Sequence, residues 1–278
     1  MQIRLPVFTE VFQMKVLNVI FLLGLLATLT LPVEFIQQAL PAFKHRRQAL
    51  AALFIAWIIL YELRIVVLVL VASRAPNPER AVLSKRRSSV GPLAKLAGLM
   101  DAEKRFWLYA LTRKLPLLEQ FEGRHHFGNG NQNGNADAWL GWAIVNFLPT
   151  PIIHIMLHHK SPLAAALTSF ACFMSSLWLW AEYRAAKSRP ISFDEETLYL
   201  RYGLLVDREI DRQDIVDIKS CNYMDSFHGI TRHAGLGAPN VILTLRSGER
   251  IAIGVDEPTG FIQGLRREFD RQSALRAT

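Results

Sequence analysis

The sequence predicts a multi-pass α-helical membrane protein of about four transmembrane helices, ending in a small α+β domain. Three observations predict this class. The apolar residues, 51% of a 278-residue chain, gather into four long blocks instead of spreading evenly. Lys and Arg collect on flanks that such a topology places on one side. Beyond residue 188 the hydrophobic period shortens from that of a helix to that of strands.

A helix needs roughly 20 apolar residues to cross the roughly 30 Å hydrocarbon core of a bilayer. Four stretches meet that length: LNVIFLLGLLATLTLPV (17–33), ALAALFIAWIILYELRIVVLVLVAS (49–73), AWLGWAIVNFLPTPIIHIML (138–157) and PLAAALTSFACFMSSLWLWA (162–181). The first lacks the small-residue cleavage site of a secretory signal peptide, and a second span follows closely. The spans form two hairpins, residues 1–73 and 138–184. The two cysteines, Cys172 and Cys221, fall in different environments, so free thiols are expected and no disulfide framework.

Charge orients the spans. The segment 74–137 carries eleven Lys or Arg, and Arg184, Lys187 and Arg189 follow the fourth span. The positive-inside rule puts both regions, and hence both termini, on the cytoplasmic side of the cell (inner) membrane. Trp139 and Trp142 open the third span and Trp178 and Trp180 close the fourth, as an aromatic belt at one interface requires. The short connection 41–48 runs against the rule, with Lys44, Arg46 and Arg47 on the outer side.

The segment 74–137 reads as three parts. A basic polar loop comes first. A stretch with Leu93, Leu96, Met100, Trp107 and Leu111 near helical period follows, interspersed with Lys and Arg. Such a cationic amphipathic helix suits an anionic membrane surface or a seat against the cytoplasmic domain. Last comes FGNGNQNGNADAW (127–139), whose alternating Gly and Asn favour neither helix nor strand and predict a flexible linker.

From residue 188 to 270 the runs ISFD, TLYLR, LLVDREI, DIVDIKS, NVILTL and RIAIGV read as short strands separated by turn residues. A hairpin is expected about Ser247-Gly248. A closing helix is expected from Pro258, with Phe261, Leu265 and Phe269 on one face. The string LRYGLLVDREIDRQDIVDIKS, followed by a hairpin and GVDEPTGFIQGLRREF, resembles the bacterial pleckstrin-homology-like domains attached to membrane hairpins. The matching features are Gly203, Ile215 with Ile218, and Glu257-Pro258 with Phe261, over about a third of the chain. The resemblance implies an antiparallel sheet or barrel closed by one C-terminal helix.

Ionisable residues inside a membrane cost roughly 2.5–3.5 kcal/mol each at a helix centre, so they mark sites of interest. Glu62 and Arg64 interrupt the second span. About 200° apart around a helix, they make no easy intrahelical pair. Arg64 is placed to snorkel inward, and Glu62 then needs a partner among Asn146, His154 and Arg64. An ion or proton relay and a polar bolt between helices are both open readings. His154, His158 and His159 have the H-x-x-x-H-H spacing of one box of the membrane di-iron enzymes. The topology holds them roughly a bilayer thickness, about 30 Å, from the other histidines, so no metal site is expected. His158 and His159 instead suit the end of a helix. In the loop 226–240, His228, Arg232 and His233 are candidates for a ligand or partner.

Charge limits the function classes. Residues 185–278 hold thirteen Lys or Arg against fourteen Asp or Glu, a net of −1, whereas the whole chain is +8. The basic charge therefore belongs to the flanks of the spans, and no nucleic-acid partner is expected. No nucleophile–base pair, nucleotide motif or carboxylate dyad is identifiable, so no catalytic residue and no cofactor is expected. The reading is a scaffold or regulatory component that contacts the lipid bilayer and a protein partner or a second copy of itself. The competing reading is a membrane enzyme or small-ion or proton transporter using Glu62, Arg64 and His154.

Overall fold

A computed structural model describes residues 43–75, 77–83, 92–113, 115–131, 135–221 and 229–277. The first expected span, 17–33, lies outside them, as does His228. Two compact units are distinguished, Met1–Glu62 and Leu63–Thr278.

Helix α1, Phe43–Ala72, runs through the second expected span. It begins inside the expected connection 41–48, so residues 43–48 are helical where a loop was predicted. Near the end of α1, Ile65, Val69 and Ala72 are buried at helical spacing, while Leu63, Val67 and Val71 are exposed. Beyond Arg64 the helix is apolar all round, and an exposed apolar side of this kind suits no aqueous surface.

A short helix and a longer one follow. Helix α2, Pro78–Val82, starts at Asn77, whose side chain accepts a hydrogen bond from the Arg80 amide at 2.9 Å. Pro78 occupies its first turn, where the missing N–H costs nothing. Helix α3, Pro92–Leu111, is the expected amphipathic helix. Ala102, Arg105, Phe106, Leu108 and Tyr109 form its buried side, and it lies against the helix Pro162–Ser188.

Helices α4 (Asn135–Phe147) and α5 (Thr150–His158) together make the third expected span, broken at Leu148-Pro149. Pro149 and Pro151 remove two amide donors and cause the break. Helix α6, Pro162–Ser188, returns beside both, its first turn capped by Ser161, which accepts from the Ala164 amide at 3.3 Å. Asn146 fastens the pair by donating to the Cys172 carbonyl at 3.2 Å and to Ser176 Oγ at 3.0 Å. Among the described residues, Asn135–His158 and Pro162–Ser188 are long and apolar enough to cross a membrane. Their outward faces carry exposed Ile144, Phe147, Ile152, Leu167, Phe170 and Phe173.

The C-terminal part holds two four-stranded sheets. The first has the order β1 (His125–Phe127), β2 (Ile191–Phe193), β3 (Thr197–Tyr202) and β4 (Val206–Asp211), antiparallel throughout. The second contains β5 (Ile215–Ser220), β6 (Thr231–His233), β7 (Val241–Leu245) and β8 (Arg250–Ile253). Its order is β5-β7-β8-β6, and β6 runs parallel to β8. Each strand predicted from alternation is present. β7 shows the reason: Val241, Leu243 and Leu245 point inward and Ile242 and Thr244 are half-buried. At the β7–β8 turn Gly248 takes φ 84° and donates to the Leu245 carbonyl at 2.9 Å. Helix α7, Pro258–Ala277, buries Phe261 and Leu265 in the shared core with Phe193, Leu198, Leu200, Leu243, Ile251 and Ile253.

The Gly/Asn stretch departs from the flexible linker predicted. Phe127 ends strand β1, and Asn129 is fully buried, donating to the carbonyls of Arg189 at 3.2 Å and Arg201 at 3.0 Å. Asn135 is also fully buried. It donates to the Asn129 carbonyl at 3.2 Å and the Tyr202 hydroxyl at 3.0 Å, and accepts from the amides of Leu236 at 2.9 Å and Gly237 at 3.2 Å. The described part of this stretch is a polar latch that joins α4, the sheet and the loop after β6.

Candidate functional site: the charged junction of helix α6 and the sheet

Helix α6 ends at Ser188, and Arg189 enters the sheet domain directly. No spacer separates them. The Arg189 side chain is fully buried, and a buried guanidinium is tolerated only when paired and hydrogen-bonded. Its Nε donates to Glu79 Oε1 at 2.9 Å, and its Nη1 donates to the carbonyls of Gly203 and, at 3.0 Å, Val206. Its Nη2 lies 3.8 Å from Asp207 Oδ1.

Arg105 of α3 is the second cation. Its Nη2 donates to Asp207, its Nη1 donates to the Leu204 carbonyl at 3.2 Å, and its Nε lies 3.4 Å from Glu79 Oε1. The Tyr109 hydroxyl, one turn further along α3, donates to the other Glu79 oxygen. Two arginines thus face two carboxylates, and the cluster is neutral as a whole. It ties α2, α3 and the end of α6 to the β3–β4 turn.

The titration behaviour follows from this enclosure. Burial opposes the Arg189 charge, but Glu79, Tyr109 and Asp207 outweigh it, and its pKa rises above the usual value. Burial, then the neighbouring Arg189, lowers that of Arg105. Burial and the Glu79 charge push the Tyr109 hydroxyl well up, so it stays protonated as a donor.

The β3–β4 turn is built to receive α6. Glu182, buried near the end of α6, accepts from the Leu204 amide at 3.1 Å. Gly203 takes φ 51°, and a Cβ there would overlap the Glu182 carboxylate. A glycine is needed on both counts.

The other candidates from the sequence lie elsewhere. His154 Nδ1 hydrogen-bonds Ser169 Oγ of α6 at 2.8 Å, and its ring stacks on His158 at 5.7 Å. Exposed His158 meets His159 edge-on at 6.5 Å. Asn146 is engaged with Cys172 and Ser176 as described. On α1, Glu62 is half-buried and Arg64 is exposed. Arg232 lies in strand β6, where a loop over 226–240 was expected, and donates to the Gly237 carbonyl at 2.7 Å in the loop that follows. His233 sits half-buried in β6, where burial and then Arg208 lower its pKa. Among the described residues, no three His, Cys, Asp or Glu gather in an arrangement that could hold a metal. Neither Cys172 nor Cys221 is in a disulfide.

Fold and site together define a class: a chain with long apolar helices, one of which ends directly in a two-sheet domain and is locked there by buried ion pairs. In comparisons with known proteins, no family model, curated protein or solved structure matches the chain.

Proposed function

We propose that this chain is a scaffold or regulatory component of the cell (inner) membrane, with four spans and cytoplasmic termini. In this reading its C-terminal domain is pleckstrin-homology-like and works by protein contact. The observation that carries the proposal is the junction at Arg189. A domain locked to the end of an apolar helix presents its outer surface in one fixed orientation, which is what a scaffold needs. Arg105, Arg189 and Glu79 are buried and engaged with one another, which supports a role in the joint, and the Asp207 side chain that completes the cluster is 25% exposed.

Further features support the parts of this reading. Helix α1 contains nearly all of the second expected span and leaves apolar side chains exposed near its end. Lys187 near the end of α6 lies 3.5 Å from Asp137 near the start of α4, so the tryptophans that flank these termini share one end of the hairpin. A meander in one sheet, a second sheet and a closing helix agree with a pleckstrin-homology-like topology. The net charge of −1 over residues 185–278 argues for a protein partner over a lipid headgroup. Val216 on edge strand β5 is 64% exposed and Leu236, in the loop after the opposite edge strand β6, is 42% exposed, which gives the domain apolar contact points.

Two steps of one experiment test the proposal. Membranes containing the full chain are washed at alkaline pH, and the protein is expected to stay in the pellet. Release into the wash would overturn the membrane reading. A photocrosslinking residue at Val216 or Leu236 in native membranes is then expected to give a discrete adduct. Absence of adducts from both positions would overturn the contact reading.

A further inference from the structure

A cleft of about 490 Å³ lies between the C-terminal end of α3 and the last turns of α6. Arg113, Arg184 and Lys187 line it, together with Leu111, Trp180 and Tyr183, and no carboxylate does. We infer that this cleft binds the headgroup of an anionic phospholipid. The inference rests on the membrane reading above.

The Arg184 charge is held in place by neutral groups, and that of Lys187 is paired only at a solvent-exposed carboxylate. Arg184 donates to the backbone carbonyls of Tyr109 at 2.7 Å, Thr112, and Arg113 at 3.5 Å. These partners are neutral, so they hold the guanidinium in place and leave its charge standing. Its Cζ lies 5.9 Å from the Trp180 ring centroid. Lys187 Nζ lies 4.8 Å from the Tyr183 ring centroid. Its ion-pair partner, Asp137, stands 3.5 Å away with a side chain 75% exposed, so solvent screens that pair strongly. Arg113 is exposed at the rim.

Position selects a lipid over a free anion. The cleft begins where the apolar run of α6 gives way to Arg184 and Lys187, one turn beyond the Trp178–Trp180 pair. Tryptophan and basic side chains at a span end belong at headgroup level. Leu111 is 41% and Trp180 38% exposed, and Phe173 further along α6 is 49% exposed. A phosphate alone makes no use of an apolar wall. A phospholipid lays its phosphate among the cations and its acyl chains along that wall. Basic pockets between helices on the cytoplasmic side are suited to such headgroups.

The test uses the full chain in phosphatidylcholine vesicles carrying trace spin-labelled phosphatidylglycerol or spin-labelled phosphatidylcholine. The motionally restricted fraction of each lipid gives its relative affinity. The wild type is expected to prefer phosphatidylglycerol. Lys187→Gln and Arg113→Gln are each expected to reduce that preference by about fivefold, the typical weight of one basic side chain at a charged surface. Arg250→Gln, at the exposed first residue of β8, controls for net charge and is expected to leave the preference unchanged. An unselective wild type, or a preference that survives both cleft substitutions together, would overturn the inference. So would loss of the preference on adding inorganic phosphate at constant ionic strength, which assigns the site to a free anion. Failure of the protein to float with the vesicles is a different result and would overturn the membrane reading itself.

Discussion

Arg189→Met is expected to destabilise the protein by about 3–5 kcal/mol, because it removes one partner of a buried ion pair and leaves the rest in place. Glu79 would keep Arg105 and Tyr109 but lose its 2.9 Å contact, and the Gly203 and Val206 carbonyls would lose a charged donor. The buried cluster would also become net negative. Most domains have only about 5–15 kcal/mol of stability, so this loss removes much of the margin. Arg189→Lys keeps the charge but cannot reproduce the planar fork that reaches a carboxylate and two carbonyls at once. It is expected to fall between wild type and Arg189→Met. Thermal unfolding of the purified protein in detergent, followed by circular dichroism, checks the order. A wild-type midpoint for Arg189→Met would show that the junction contributes nothing to stability.

Phe261→Ala is expected to cost about 3–5 kcal/mol, the usual range for emptying a large buried aromatic site. Phe261 is fully buried. Its ring meets Phe127 edge-on at 5.3 Å and Phe193 at 5.9 Å, which links α7 to strands β1 and β2. Three aromatic rings in this geometry contribute beyond the area they bury. Phe261→Leu keeps most of the volume and is expected to lose less. Near-ultraviolet circular dichroism is the discriminating measurement for Phe261→Ala. The aromatic signal of the sheet domain is expected to weaken while the far-ultraviolet helical signal of α4 to α6 persists. Unchanged spectra and midpoint would contradict the assigned core.

These two positions differ in how visible they were in the sequence. Phe261 and Leu265 repeat at helical spacing behind Pro258, so their helix and its apolar face follow from local pattern alone. The strands were equally legible, because alternation along β7 reports directly which side faces the core. The junction is another matter. Arg189 reads as one more positive residue after a span, and its partner Glu79 lies 110 positions away. No local pattern carries that distance. One signal was present: Asn77-Pro78-Glu79 has the residues of a helix start, which locates α2 inside a stretch read as loop.

The latch shows the opposite error. Gly and Asn have low propensity for helix and strand, and by that measure residues 127–139 are a linker. Asn also carries two donors and an acceptor on a short side chain, which suits it to binding backbone groups across a junction. Asn129 and Asn135 use them on partners up to 102 positions away. Propensity describes what a residue does alone and is silent about such contacts. For His154 the sequence left its partner open. The structure supplies Ser169, a hydroxyl on the neighbouring helix, and so makes the contact one between helices α5 and α6.

The central claim is that the sheet domain is held rigidly on the end of α6. Spin labels at exposed Ser175 on α6 and exposed Val216 on β5, in a background lacking Cys172 and Cys221, test it most directly. Pulsed electron resonance on the reconstituted full chain is expected to give a single narrow distance distribution. A broad distribution, of the kind a flexible tether produces, would contradict the account.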